Sequence, residues 1–224
     1  DPAFYVRQLK ESRLFERSSI TEEDANKTEQ YKRESERKKA LGNAVDMDSY
    51  LESLEMKGVF RDFDRLDLPR IAQLINKSNQ FNLTTRRRTE SEVEEVIEDP
   101  DYTGFTMRLS DKFGDHGLIS VVIGRRDGDV LEIDTWLMSC RVLKRQVEEE
   151  VMNEIVERAR LLHCTSVKGL YLATAKNGMV TRHYQDLGFS TVRENEESGE
   201  YELSVDGFEA RPTYISVEST VGRI

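Results

Sequence analysis

The chain has 224 residues, 37% of them hydrophobic, with a formal net charge of -10 and a pI near 5.0. That length holds one core of good size plus an appendage. The acidic balance argues against a nucleic-acid partner, which demands a basic surface, although local basic clusters stand at Arg86-Arg87-Arg88, Arg125-Arg126 and Lys144-Arg145.

Two cysteines, Cys140 and Cys164, are too few for a disulfide framework and lack metal-ligand spacing. No run has the length of a membrane span or the layout of a signal peptide. The expectation is a protein of a reducing compartment, the cytoplasm, with no metal and no membrane attachment. The chain opens at Asp1 without a methionine and so reads as a fragment of something longer.

Residues 1–58 differ from the rest and read as a helical linker. Residues 1–15 give a short amphipathic turn, and Thr21 with Glu22, Glu23 and Asp24 caps a helix running to about Leu41. That helix has few apolar anchors and cannot bury much surface by itself. A short segment from Met47 to Leu54 leads to a strand near Met56–Phe63.

From Val59 strands and helices follow in one order. Leu68, Ile71, Leu74 and Ile75 recur at helical spacing within Leu66–Asn79, with Pro69 allowed in the first turn. Thr89 and Glu92 form a capping-box pattern opening a helix that ends near Pro100. Three β-rich runs follow, Gly104–Ser110, Gly117–Gly124 and Val130–Ser139, with an Arg126-Asp127-Gly128-Asp129 hairpin turn joining the last two. Arg145–Leu162 is an amphipathic helix on Val147, Val151, Ile155 and Ala159, and Ser166–Ala173 is a strand. A helix over Gly178–Leu187, closed by Gly188, precedes strands near Phe189–Arg193 and Tyr201–Val205. Residues 207–224 read as a tail or linker.

Cys140 lies where an apolar strand-like run turns into a helix-like one. Backbone N–H groups are unpaired at such a junction and the helix dipole is positive there, an environment that favours thiolates. A small half-buried residue ending a core strand is the alternative. Cys164 sits at a helix end, where packing is the expected role.

The element order resembles the GNAT acyltransferase fold: an α/β (α+β) domain over residues 59–206, with a mixed, largely antiparallel sheet. Arg141 through Gln146 resembles its pyrophosphate loop, Q/R-x-x-G-x-G/A, with Lys144 and Gln146 in place of the two glycines. Asn177 follows the next strand, where this fold commonly has an asparagine, and Tyr184 precedes the Gly188-Phe189 pair by the usual spacing. The replaced glycines put a standard coenzyme A site in doubt, because they would let a pyrophosphate approach the backbone. Lys144 could still pair with the single phosphate of a phosphopantetheine arm.

Longer words resemble the FkbH-like proteins of polyketide biosynthesis, in which a haloacid dehalogenase-type phosphatase domain precedes a GNAT-like domain. They are Asn79-Gln80-Phe81-Asn82-Leu83-Thr84-Thr85-Arg86-Arg87, Phe113 to Ile119, Met138-Ser139-Cys140-Arg141-Val142-Leu143, and Thr174 to Gly178, together with the opening Asp1 to Val6. The resemblance implies transfer of a glyceryl unit, derived from 1,3-bisphosphoglycerate, through an enzyme cysteine to the phosphopantetheine thiol of an acyl carrier protein. It makes the carrier and an upstream phosphatase domain the partners. It implies no cofactor in this fragment, magnesium belonging to the missing phosphatase.

On that reading Cys140 is the nucleophile and backbone N–H groups from Arg141 onward stabilise the oxyanion. Arg141 itself lowers the thiol pKa or fixes a donor phosphate. His116 is a candidate base, or else a turn residue. Tyr184 is a candidate proton donor, or else a core tyrosine; His183 is expected to face away from it, and His163 to end a helix. Asn79, Gln80, Asn82, Thr84, Thr85 and Arg86 border the acceptor cleft, with Asn82 and Arg86 chosen for hydroxyl, carbonyl or phosphate contacts; simple loop chemistry is the alternative. Lys144 and Asn177 complete the candidate substrate set. Two other functions stay open: an acetyl-CoA-dependent N-acetyltransferase, and a non-catalytic module docking a carrier protein on a basic patch.

Overall fold

A computed structural model describes residues 22–219. The amphipathic turn expected over 1–15, the resemblance at Asp1 to Val6, the Thr21 cap and the end of the chain past 219 lie outside the described residues. The chain divides into two compact units between Met47 and Asp48, earlier than the expected boundary at 58.

Helix α1 (Glu22–Asn43) is rich in Lys, Arg and Glu and forms most of the described part of the first unit. Helix α2 (Met47–Ser53) opens the second unit and buries Tyr50 and Leu51. Strand β1 (Met56–Asp62) is followed by α3 (Leu68–Lys77), which turns Leu68, Ile71, Ala72 and Ile75 inward. Burying each large apolar side chain there contributes roughly 1.5–3 kcal/mol. Helix α4 (Glu90–Glu98) carries the expected capping box: the Glu92 N–H donates to Thr89 Oγ1 at 3.3 Å and the Thr89 N–H to Glu92 Oε2 at 2.7 Å. Strands β2 (Tyr102–Asp111), β3 (Gly114–Asp127) and β4 (Val130–Met138) form the antiparallel meander. Gly128 takes a φ of +63° in the β3–β4 turn, the left-handed conformation for which glycine is suited.

After β4 the chain makes one 3-10 turn, Cys140–Val142, before α5 (Val147–Leu161) and β5 (Ser166–Leu172). The helix expected over 178–187 is two short pieces, a 3-10 turn at Gly178–Val180 and α6 (His183–Asp186). Strands β6 (Ser190–Glu194) and β7 (Ser198–Ser204) follow. The tail expected from 207 onward is not all tail: Ile215–Ser219 forms β8, parallel to β1. Single-sequence periodicity could not show this, because Ile215 to Ser219 is a short run between turn-rich segments.

The eight strands form one sheet in the order β6-β7-β5-β4-β3-β2-β1-β8. Helices α3 and α4 cover the face carrying Val121, Ile123 and Leu137. Helix α5 packs against β5 and is buried along Val147, Val151, Met152, Ile155, Val156 and Ala159.

The centre of the sheet decides where the site lies. Strands β4 and β5 pair in parallel only from Val130↔Ser166 to Ile133↔Gly169. Beyond that the gap between them is filled by the chain's own residues 81–83. The Leu83 N–H donates to Trp136 O at 3.1 Å, the Met138 N–H to Phe81 O at 3.2 Å, and the Leu172 N–H to Leu83 O at 2.9 Å. Asn82 forms an isolated antiparallel bridge with Leu137. An extended amide-bearing arm could otherwise add to such exposed strand edges; here those main-chain groups already have partners.

Candidate active site

Beside this inserted segment lies a cleft of about 720 Å3. The end of α3 supplies Leu74 and Lys77, the following loop Ser78, Asn79, Gln80 and Phe81, and β3 supplies Leu118 and Ile119. The end of β4 and the next turn supply Leu137, Met138, Ser139, Cys140 and Arg141, and the loop after β5 supplies Ala175 and Lys176. Cys140 is exposed and Cys164 is buried. Burial pushes the Cys164 thiol above its ordinary pKa, with the Asp129 charge adding to it and Arg126 opposing. Of the two, Cys140 alone opens onto the cleft.

Three cations line the cleft, Lys77, Arg141 and Lys176, and no Asp or Glu does. Among the described residues none of the three has a carboxylate partner; Arg141 Nε donates to Ser139 Oγ at 3.2 Å. Their charge is therefore available to whatever enters.

The geometry at Cys140 differs from the expected junction. The thiol sits at the start of a single 3-10 turn, and α5 begins only at Val147. The main-chain donors of the long helix are therefore displaced from it in sequence. The Val142 N–H donates to Ser139 O at 3.2 Å and the Lys144 N–H to Glu148 Oε1 at 3.3 Å.

The remaining expected site residues divide between cleft and scaffold. Asn79 lines the cleft, with its Oδ1 accepting from Arg87. Asn82 is fully buried, and its side chain accepts from the Thr85 N–H at 2.8 Å and donates to Ser78 O at 3.3 Å. Thr85 takes a φ of +50° in that turn. Buried Thr84 donates to Asp134 O at 2.9 Å. Arg86 and Arg88 both pair with buried Asp134, Arg88 at 2.6 Å. Burial opposes ionisation of Asp134, but the Arg88 hydrogen bond and charge and the Arg86 charge outweigh it and hold the carboxylate below its usual range. With Arg87 donating to Ile75 O at 2.6 Å, the whole 86–88 basic cluster is engaged within the chain.

Asn177 is buried and bridges the inserted segment to β5, donating to Asn82 O at 3.0 Å and Leu172 O at 2.9 Å. Tyr184 lies in the core against Phe189 and Tyr201, away from the cleft lining. Its hydroxyl faces the Leu170 backbone without closing a good hydrogen bond, and burial raises its pKa above the ordinary phenol range. His183 is wedged edge-on between Trp136, at 4.4 Å, and Phe81, at 5.0 Å. Burial lowers its pKa to about 3.

His116 does not line the cleft. Its Nε2 lies 2.9 Å from Asp111 Oδ2 and 3.4 Å from Arg145 Nη1. The Asp111 Oδ1 accepts from the Phe113 and Gly114 N–H groups at 2.9 and 3.1 Å. This buried trio ties the β2–β3 turn to the loop that runs from Cys140 into α5.

That loop keeps the backbone of a glycine-bearing one while lacking the glycines. Lys144 and Gln146 have φ values of +62° and +61°, the left-handed region that costs a non-glycine residue roughly 1–2 kcal/mol. Its polar groups turn inward. The buried Glu148 carboxylate accepts from the Lys144 N–H, and Gln146 Oε1 accepts from the Tyr214 N–H at 2.9 Å. Asn153 and Arg211 exchange two hydrogen bonds at 2.8 and 2.9 Å, and Thr213 donates to Glu150. Residues 211–214 are thus strapped across the start of α5, whose first turn carries Glu148, Glu149 and Glu150. The Lys144 N–H, a donor that a pyrophosphate would use in a glycine-bearing loop, is thus occupied from within by Glu148.

Lys77 and Lys176 escaped the sequence reading. Lys176 lies inside a motif whose neighbour Asn177 drew the attention, and Lys77 sits in an amphipathic helix where a last-turn lysine is ordinary. The strap over 211–214 left no sequence signal.

The fold is that of the GNAT acetyltransferases. The chain is similar to the ribosomal-protein-S18-alanine N-acetyltransferase of Escherichia coli, at 12% identity and a TM-score of 0.50 over 66% of this chain and 94% of that one. It is similar to the GNAT domain of PAT from S. lividans, at 16% identity and a TM-score of 0.51 over 65% and 89%. Ard1 from Thermoplasma volcanium matches at 13% identity and a TM-score of 0.50 over 66% and 97%. No protein-family model matches the sequence, and no curated protein does. Among the described residues no helix is long and apolar enough to cross a membrane.

Proposed function

We propose that this chain carries an acyl group as a thioester on Cys140 and passes it to the phosphopantetheine thiol of an acyl carrier protein. The observation that carries this reading is an exposed thiol opening into a cleft lined by Lys77, Arg141 and Lys176 and by no carboxylate. The resemblance to FkbH-like proteins names the group as glyceryl from 1,3-bisphosphoglycerate, with an upstream phosphatase domain handling the phosphates. On this reading the Cys140 thiolate attacks the activated glyceryl carbonyl, forming the C–S bond as the leaving group departs with its electron pair. The carrier thiolate then attacks the thioester, and the electron pair returns to Cys140. Arg141, the neighbour of Cys140 on the cleft wall, favours the incoming thiolate and the tetrahedral oxyanion. The proton that each thiol loses passes to water, since the cleft lining holds no imidazole or carboxylate to take it.

The second reading, acetyl-CoA-dependent N-acetylation, is favoured by the fold. Against it stand the acidic first turn of α5 and the inward-turned 144–146 loop. Mass spectrometry separates the readings. Incubating the chain and its Cys140→Ala variant with glyceryl-loaded carrier should give a hydroxylamine-labile glyceryl adduct on the Cys140 peptide, absent in the variant. Saturable acetyl-CoA binding without that adduct would favour the acetyltransferase. Carrier binding that survives Cys140→Ala, with no adduct in either protein, would leave a docking module.

A further inference from the structure

The cleft is larger than a three-carbon unit needs. At about 720 Å3 it falls in the range that accommodates ligands of drug size, roughly 300–1,000 Å3. Its lining pairs apolar walls from Leu74, Phe81, Leu118 and Met138 with the polar groups of Ser78, Gln80 and Ser139. Such a mixture suits a long arm with methylene and amide segments. In the whole chain 43 of 224 residues are Asp or Glu, yet none lines this cleft, while two lysines and an arginine do. The lysines come from separate elements, Lys77 from the last turn of α3 and Lys176 from the loop after β5. Lys144, the lysine chosen from sequence for the phosphate, does not line the cleft.

We propose that Lys77 and Lys176 bind the phosphate of the phosphopantetheine arm while its thiol end reaches Cys140. The assignment rests on the carrier-dependent reading above. Two flexible ammonium groups bind a phosphate as point charges and tolerate its rotation. A phosphate on a glyceryl donor would offer the same chemistry, but that donor leaves most of the cleft unfilled.

The test measures binding by titration calorimetry with the full chain, so that it does not depend on turnover. The probes are 4′-phosphopantetheine against pantetheine, and 3-phosphoglycerate against glycerate. Wild-type protein should bind phosphopantetheine at least about tenfold more tightly than pantetheine, as expected for one or two charge-assisted contacts. In the Lys77→Gln/Lys176→Gln double variant that preference should fall below about twofold. It should persist in a Lys57→Gln/Lys112→Gln control that removes the same charge from exposed lysines elsewhere. Equal binding of the two arms by wild type, or a preference that survives the double variant, overturns the assignment. So does lysine-dependent binding of 3-phosphoglycerate alone, which would give the site to the donor. If the Cys140 adduct fails to form while the lysine-dependent phosphate preference holds, the thioester route falls and the phosphate site stands.

Discussion

Asn177 holds Asn82 in place across the open centre of the sheet. Its amide donates to Asn82 O and Leu172 O, while its Oδ1 accepts from the Thr174 N–H at 2.8 Å and from Tyr171 Oη at 3.3 Å. One fully buried side chain thus fastens the segment that fills the gap between β4 and β5. The same segment continues through Phe81 and Gln80 into the cleft wall, so the clamp also sets the shape of the cleft.

Replacing Asn177 by alanine should destabilise the fold by about 2–4 kcal/mol, since buried carbonyl and N–H groups lose partners at once. Urea unfolding reads this directly. A substrate-binding role would instead leave stability unchanged while transfer falls, and that pattern would refute the clamp.

His183 makes stability depend on acid. Its pKa is lowered by burial from 6.5 to about 3, so the unfolded chain takes up a proton over that interval while the native chain does not. Stability is therefore lost as pH falls from about 6.5 toward 3, by about 5 kcal/mol in all at roughly 1.4 kcal/mol per unit. His183→Leu should remove this dependence. The stability difference between variant and wild type, followed from pH 7 to pH 4, isolates His183 from the carboxylates that titrate in the same range. A difference constant with pH would mean that the imidazole is hydrated or paired in solution.

Much of the scaffold was legible because its signals are local. The period of Leu68, Ile71 and Ile75, the Thr89 capping box and the Gly128 turn each act within a few residues, and the structure has all three. The element order was enough to indicate the GNAT fold. Harder to read were residues whose partners lie far along the chain. Asn82, Thr84, Arg86 and Asn177 look like ligands in sequence because they are polar and sit in loops. Their partners, such as Asp134 for Arg86 and Asn82 for Asn177, are fixed by the sheet, and no local pattern reports them. Cys140 follows a strongly apolar strand at a distance of two residues, and its place on the cleft wall, at the start of a 3-10 turn, is what the structure adds to the sequence reading.

The left-handed loop before α5 can be tested by restoring its glycine. Lys144→Gly should leave stability unchanged or raise it by up to about 1 kcal/mol, relief of the φ of +62° offsetting the entropy of a glycine. Lys144→Val should cost about 1–2 kcal/mol, because a β-branched residue tolerates that region worst. Thermal unfolding of the two variants gives the ordering. A glycine variant less stable than the valine variant would show that the loop leaves the left-handed region in solution.

Tyr184 separates a core role from a catalytic one. Gly169 lies so close beneath its ring that an added Cβ would meet ring carbons at 2.4–2.6 Å. Gly169→Ala should therefore cost about 2–3 kcal/mol or more, since overpacking forces backbone or ring to shift. Tyr184→Phe keeps the ring and removes only a buried hydroxyl that lacks a well-formed hydrogen bond. Its stability should stay within about 1 kcal/mol of wild type or rise slightly. On the proposed reading the rate of acyl transfer from Cys140 should be unchanged, because the ring lies outside the cleft lining and burial holds the hydroxyl protonated. A tenfold or greater loss of that rate at unchanged stability would return Tyr184 to the role of proton donor. It would also require the core around Gly169 to open during the reaction, which hydrogen exchange at the β5 amides would detect.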